Sequence, residues 1–154
     1  MRNLDSIVVF VHILAGTTLV AMSAIMQLIV GPAIALLPWS ADKNKLTDKL
    51  KKRRVPVIDG AIILQICTAL YLFYFRWNMI ISEPLMRVKV VFGTAALSLA
   101  FAVHFYFRYK KINLEKSGDM SSLQIVNKQT QIMEKLVLIC GAITYILGIY
   151  FNHM

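Results

Sequence analysis

Acidic residues are scarce in this chain: eight Asp plus Glu stand against 17 Lys plus Arg among 154 residues, and all charged residues together make up 16%. Soluble domains carry about 25% charged and roughly 45–50% apolar residues, whereas this sequence is 58% hydrophobic. An ordinary soluble enzyme and a charged, disordered tail are both excluded on that balance. Cysteine is limited to Cys67 and Cys140, each inside an apolar run and without a CxxC partner. This rules out a disulfide-stapled secreted domain, a redox pair and a cysteine zinc site, and both are read as buried free thiols. Repeats and low-complexity segments are missing. The net charge of +9 would suit nucleic acid, but no aromatic-interleaved soluble basic face exists to bind bases, so nucleic acid is not expected as a partner.

What the chain does have is four apolar segments. A bilayer core of about 30 Å needs about 20 apolar residues in a helix. The first segment runs from Ser6 to Ala41 without a formal charge. As one continuous helix it would reach about 54 Å, well beyond that core. A spanning helix is therefore expected over 6–30, kinked at Gly31–Pro32, with a shorter segment continuing to an interfacial end at Pro38–Trp39. It is too long, and too poor in a basic lead and a small-residue cleavage site, for a typical cleaved signal peptide. Further spans are expected over 57–75, 88–107 and 136–151. Glu83 and Pro84 should form the turn of the second connection, and Ser117-Gly118-Asp119 a turn in the third. Ser121-x-x-Gln124 has capping-box spacing, so the last helix should begin near Ser121 or Ser122. The expected fold is all-α: a single-domain integral membrane antiparallel four-helix bundle, with the lipid bilayer as its main partner.

Orientation follows from counting cations. Lys43, Lys45, Lys49, Lys51, Lys52, Arg53 and Arg54 fall in the first connection, and Arg108, Lys110, Lys111, Lys116, Lys128 and Lys135 in the third. Only Arg2, Arg76, Arg87 and Lys89 lie on the opposite side. Positive residues are retained in the cytoplasm, so both termini should face outward across the cell's inner (cytoplasmic) membrane.

Polar residues inside apolar helices are costly and turn towards neighbouring helices. Asp5, His12, Gly16, Ser23 and Met26 share one 3/4-spaced stripe with Leu19. Lys89, Gly93, Ala96 and Ala100 make a second stripe, with His104 one turn on. Glu134, Gly141, Tyr145, Gly148 and Asn152 make a third, with Leu138. Small residues on such stripes let helices approach closely, which explains them without any ligand, and the Gly141/Gly148 face would also suit homo-oligomerisation. His12 should lie roughly 9 Å inside the outer end, level with Arg87, Lys89, Tyr145 and Asn152, and His104 about 24 Å down its own helix. That separation, roughly 15 Å, keeps the two histidines from sharing one iron. His12 is then either a histidine hydrogen-bonded across the bundle or an axial ligand to a haem with Lys89, Arg87 or Tyr145 near its propionates. His104 reads as interfacial, Asp59 and Glu134 as groups capping or solvating cytoplasmic helix starts, and His153 carries no role. Met22 and Met26, one turn apart, could pass Cu(I), although packing accounts for them more simply.

Three local features resemble a group of small bacterial four-helix membrane proteins that includes HemJ-type protoporphyrinogen oxidases and the membrane domain of CopD-type copper-resistance proteins. Phe10-Val11-His12-Ile13-Leu14-Ala15-Gly16 is similar to the group's early histidine segment. Arg53-Arg54 followed by Thr68-Ala69-Leu70-Tyr71-Leu72 resembles its basic lead-in and second helix. Met86-Arg87-Val88-Lys89-Val90 is similar to the lysine-bearing start of its third helix, and His104 to a later histidine. The likeness covers roughly Val8 to Arg108. It implies haem b on His12, a redox role, and Lys89 as the third-helix lysine. The chain differs from HemJ at Thr18 to Ser23 and at Val30-Gly31-Pro32-Ala33, where that type has tryptophan–glycine and Leu-Pro-Arg elements. The alternative is a non-enzymatic membrane protein or a subunit of a transport or assembly complex.

The topology is directly testable by single-cysteine labelling in a background lacking Cys67 and Cys140. A cysteine at Ser82 should react with a membrane-impermeant thiol reagent in intact spheroplasts, and one at Ser117 only after lysis. The reverse pattern would invert every depth given above.

Overall fold

The computed structural model describes the backbone of residues 2–38 and 40–152 and the side chains of 4–38, 40 and 42–150. The expected interfacial Trp39, His153 and the side chain of Asn152 lie outside the described residues. Among the described residues every element is helical, so the all-α fold expected from composition holds. Four helices are long and apolar enough to cross a membrane: Leu4–Leu36, Asp42–Phe75, Pro84–Ser117 and Met120–Tyr150. The chain divides into two compact units, Met1–Tyr71 and Leu72–Met154, which are described in turn.

In the first unit, α1 (Arg2–Ile25) passes through a wide π-helical turn, Met26–Val30, into α2 (Gly31–Leu36). A kink with a separate segment was expected at Gly31–Pro32; instead the helical path continues through it. Proline removes a donor and crowds the preceding turn, and here the turn ahead of it widens. The Gly31 amide reaches back five residues to the Met26 carbonyl, and Pro32 sits in the first turn of α2. A Cβ at position 31 would lie 2.8 Å from that carbonyl oxygen, so the wide turn requires glycine there.

Ser40 then caps α3 (Ala41–Phe75), its hydroxyl oxygen accepting the Lys43 amide at 3.2 Å. This helix is 35 residues long, far longer than the expected 57–75. The basic run Lys43–Arg54 is thus helix rather than a loose connection. Lysine and arginine are good helix formers, and Pro56 is carried inside the helix. Asp59 consequently lies mid-helix rather than at a helix start. α1 and α3 run antiparallel, with Ala15 and Leu19 buried on one side and Ile58, Ala61 and Ile62 on the other.

The second unit opens with the short α4 (Trp77–Ser82). Glu83 is extended, and Pro84 starts α5 (Pro84–Phe101) at the position where a missing amide costs least. A π-helical segment, Ala102–Phe107, links α5 to α6 (Arg108–Ser117). Residues expected to begin the third connection therefore extend the helix by ten residues. Gly118 adopts a left-handed φ of +73° and ends it. The chain returns as α7 (Met120–Asn152), antiparallel to α5. The shared seam holds Ala100, Val103 and Phe107 against Val126, Thr130, Val137 and Gly141. Glu134 lies well inside α7, so it too caps no helix start.

The turn fell where expected, but the cap is Asp119 rather than Ser121. Its Oδ1 accepts the Ser122 amide at 3.1 Å and the Ser121 hydroxyl at 2.8 Å. Those bonds hold its carboxyl down at about 2, from an ordinary 3.8. Because the folded value is depressed, the stabilisation is complete above the unfolded value and fades as pH falls through the folded one. Amide exchange at Ser121–Leu123 should therefore accelerate, relative to mid-α7, between pH 4 and about pH 2. In Asp119→Ala those amides should exchange fast throughout, without that pH step. A wild-type profile lacking the step would remove Asp119 as the cap.

Candidate functional site

The sequence singled out His12, and the first unit surrounds it with polar groups from α3. His12 projects from α1 one turn before Gly16. Its Nδ1 lies 2.9 Å from the Thr68 hydroxyl oxygen, and the Gln65 carboxamide nitrogen lies 3.2 Å from its Nε2. Thr68 is buried, and its hydroxyl is 2.7 Å from the Leu64 carbonyl one turn back. A threonine hydroxyl has one proton. Donated to Leu64, it leaves only lone pairs for His12, so His12 carries its proton on Nδ1 and donates it to Thr68. The Nε2 lone pair is then the acceptor for the Gln65 amide. This tautomer is inferred from the network of heavy atoms.

Gln65 is held from the other side by Gly16. A Cβ there would touch the carboxamide at 3.4 and 3.5 Å, so glycine leaves the amide the space to lie between α1 and α3. The Gln65 Oε1 is buried and has no hydrogen-bond partner among the described residues. Buried polar atoms in folded chains are nearly always satisfied, and this one belongs to the carboxamide that meets His12 Nε2. Further along the seam the Tyr71 hydroxyl donates to Asp5 Oδ1 at 3.0 Å. Asp5, His12 and Gly16 thus form the inward stripe expected of the first helix.

Its partner residues on α3 were only partly foreseen. Thr68 and Tyr71 were noted within a motif, and Gln65 was missed. A signal was present, since Gln65 is the sole carboxamide in the apolar run 57–75 and recurs with Thr68 and Tyr71 at three-residue spacing.

The other expected site residues belong to the second unit. Lys89 lies on the α5–α7 seam, with its Nζ 3.4 Å from the point a Gly148 Cβ would occupy. Arg87 is exposed, and so is Tyr145. The expected α7 stripe is off by one residue there: Thr144, not Tyr145, meets α5, packing its methyl group against Gly93 at 3.3 Å from a would-be Cβ. Gly141 is buried and Gly148 is covered by Lys89, so the face considered for homo-oligomerisation is occupied by α5. His104 falls inside the π-helical segment and is half-buried. Both cysteines are free, but Cys67 is exposed and Cys140 half-buried. Cys67 points off the Gln65–Thr68 seam, and a thiol is apolar enough to face lipid.

No protein-family model, curated protein or solved structure matches the chain.

Thr68→Val tests the cluster directly. Nitrogen-15 spectra of labelled His12 should show the proton on Nδ1 in the wild type and a shift towards Nε2 in the variant. The stability of the helix pair should fall by about 1 kcal/mol, the scale of hydrogen bonds between membrane helices. An unchanged tautomer in Thr68→Val would mean that Thr68 does not set it.

Proposed function

We propose that this chain is a multi-pass protein of the bacterial inner membrane, termini outward, that holds haem b through His12 and uses it in electron transfer, as the HemJ/CopD-like group it resembles would. Four apolar helices and the skewed distribution of cations support the membrane and its orientation. The observation that carries the haem reading is the bonding of His12. A histidine that ligates iron is held by its other ring N–H to a fixed acceptor, which sets the tautomer and aims the ligating lone pair. Thr68 supplies that acceptor at Nδ1. Nε2 lies 3.2 Å from the amide nitrogen of Gln65, a flexible side chain. Bound haem would supply one-electron chemistry, tuned by its axial ligand and the apolar surroundings. The residues of the first unit would hold the imidazole, orient it through Thr68 and exclude water with the apolar faces of α1 and α3. Lys89, Arg87 and Tyr145 play no part in this reading, which rests on the first unit alone.

A second reading has its own support. Both ring nitrogens of His12 have partners on α3, as expected of a polar clamp in a non-enzymatic membrane protein. An absorption spectrum of protein purified in mild detergent separates the two. The haem reading expects a Soret band that disappears in His12→Ala and survives in Gln65→Ala, where the amide over Nε2 is removed. A colourless protein that gains no band on haem addition overturns it, and Gln65→Ala should then loosen the helix pair instead.

A further inference from the structure

We propose that Lys89 and Arg76, in the second unit, form a binding site for the phosphate of an anionic phospholipid at the membrane interface. Lys89 lies about 7 Å along α5 from Pro84, by helical rise, within an apolar span. It is half-buried, with Nζ and Cε 3.4 and 3.6 Å from where a Gly148 Cβ would stand. Lysines near helix ends ordinarily snorkel outward to water. This one does not. Gly93 meets Thr144, so antiparallel register brings position 89 opposite position 148, and the ammonium lies across α7 at that same level. Gly148 makes this possible by lacking a side chain.

The field of a second cation reaches it: Arg76, exposed at the head of α4, is the positive charge that acts on Lys89. Neither side chain has a hydrogen bond or ion pair among the described residues. Two like charges within reach of each other, one of them half-buried, raise each other's energy, and an anion placed between them reverses the sign. Trp77 beside Arg76 and Tyr150 beside Gly148 are exposed aromatics of the kind found at headgroup level. Ile146 and Ile149, the neighbouring exposed residues of α7, offer apolar surface for the acyl chains below. A singly charged phosphodiester on a lipid suits this arrangement: it takes charge-assisted hydrogen bonds from both cations while its tails stay in the hydrocarbon. Soluble phosphate shares only the first half of that fit.

Native mass spectrometry of the full chain in detergent, titrated with phosphatidylglycerol or phosphatidylethanolamine, tests the site. Each cation near a lipid surface contributes enough for about a fivefold change, so Lys89→Gln with Arg76→Gln should bind phosphatidylglycerol about thirtyfold more weakly than wild type. Lys89→Arg keeps the charge and should retain the lipid. Gly148→Leu keeps both charges but displaces the lysine, and should lose it. Lys116→Gln, a remote cation, should change nothing. Equal binding of both lipids by the wild type, or undiminished phosphatidylglycerol binding by Gly148→Leu and the double variant, overturns the proposal. Displacement of the lipid by inorganic phosphate alone overturns the lipid as occupant and assigns the cations to a soluble anion.

Discussion

A backbone amide or carbonyl left open in hydrocarbon costs several kcal/mol, so a chain this apolar must close its hydrogen bonds within each segment. That constraint reaches even the positions that would break a helix in water. Pro32 is absorbed by the widened turn at Met26–Val30, with Gly31 giving the carbonyl of Met26 room. Pro56 is carried inside α3, and Pro84 is placed at the start of α5, where it removes no bond. The extended Glu83 and the left-handed Gly118 interrupt the helices between the apolar spans.

With the backbone satisfied internally, helix pairing is left to side chains, and the two units solve it differently. The first joins α1 to α3 through side-chain hydrogen bonds: Tyr71 to Asp5, His12 to Thr68 and Gln65 to His12. Each such bond is worth only about 0.6 kcal/mol on average, because the separated helices also find partners, so the seam needs its apolar contacts at Ala15, Leu19 and Ile62 as well. The second brings α5 close to α7 through small residues at Gly93, Ala100, Gly141 and Gly148. Its threonines return their hydroxyl protons to their own helix, Thr130 to Val126 and Thr144 to Cys140, both at 2.8 Å. They spend no polar group on the neighbouring helix.

Much of this was legible in the sequence, because hydrophobic length and 3/4 spacing are set by helix geometry alone. The four spans, the turn at Gly118 and the inward stripe of Asp5, His12 and Gly16 needed nothing more. The helix ends did not follow from apolar length. Lys43–Arg54 and Arg108–Ser117 are polar, so a hydropathy reading stops before them, while their high helix propensity carries the backbone on. The α7 stripe slipped by one residue for a related reason. Thr144 and Tyr145 both fit the 3/4 spacing between Gly141 and Gly148, and only the close approach at Gly93 selects the smaller. Gln65 was missed because a lone amide carries no motif; its meaning comes from standing opposite His12, which is a fact of pairing rather than of pattern.

The contrast between the seams bears on where chemistry can reside. In the second unit the seam threonines donate their protons to their own carbonyls and hold no group on the neighbouring helix, so the polar feature of that seam is the charge of Lys89. In the first unit, Thr68 is committed in the same way, but its lone pairs fix His12, and His12 passes the unmet valence on to Gln65. A carboxamide rotates about single bonds and exchanges a donor for an acceptor at little cost. The cluster is therefore rigid at Thr68 and yielding at Gln65, with the Nε2 lone pair between them. Moving the Gln65 side chain changes what meets Nε2 while leaving the backbone hydrogen bonds of α1 and α3 intact.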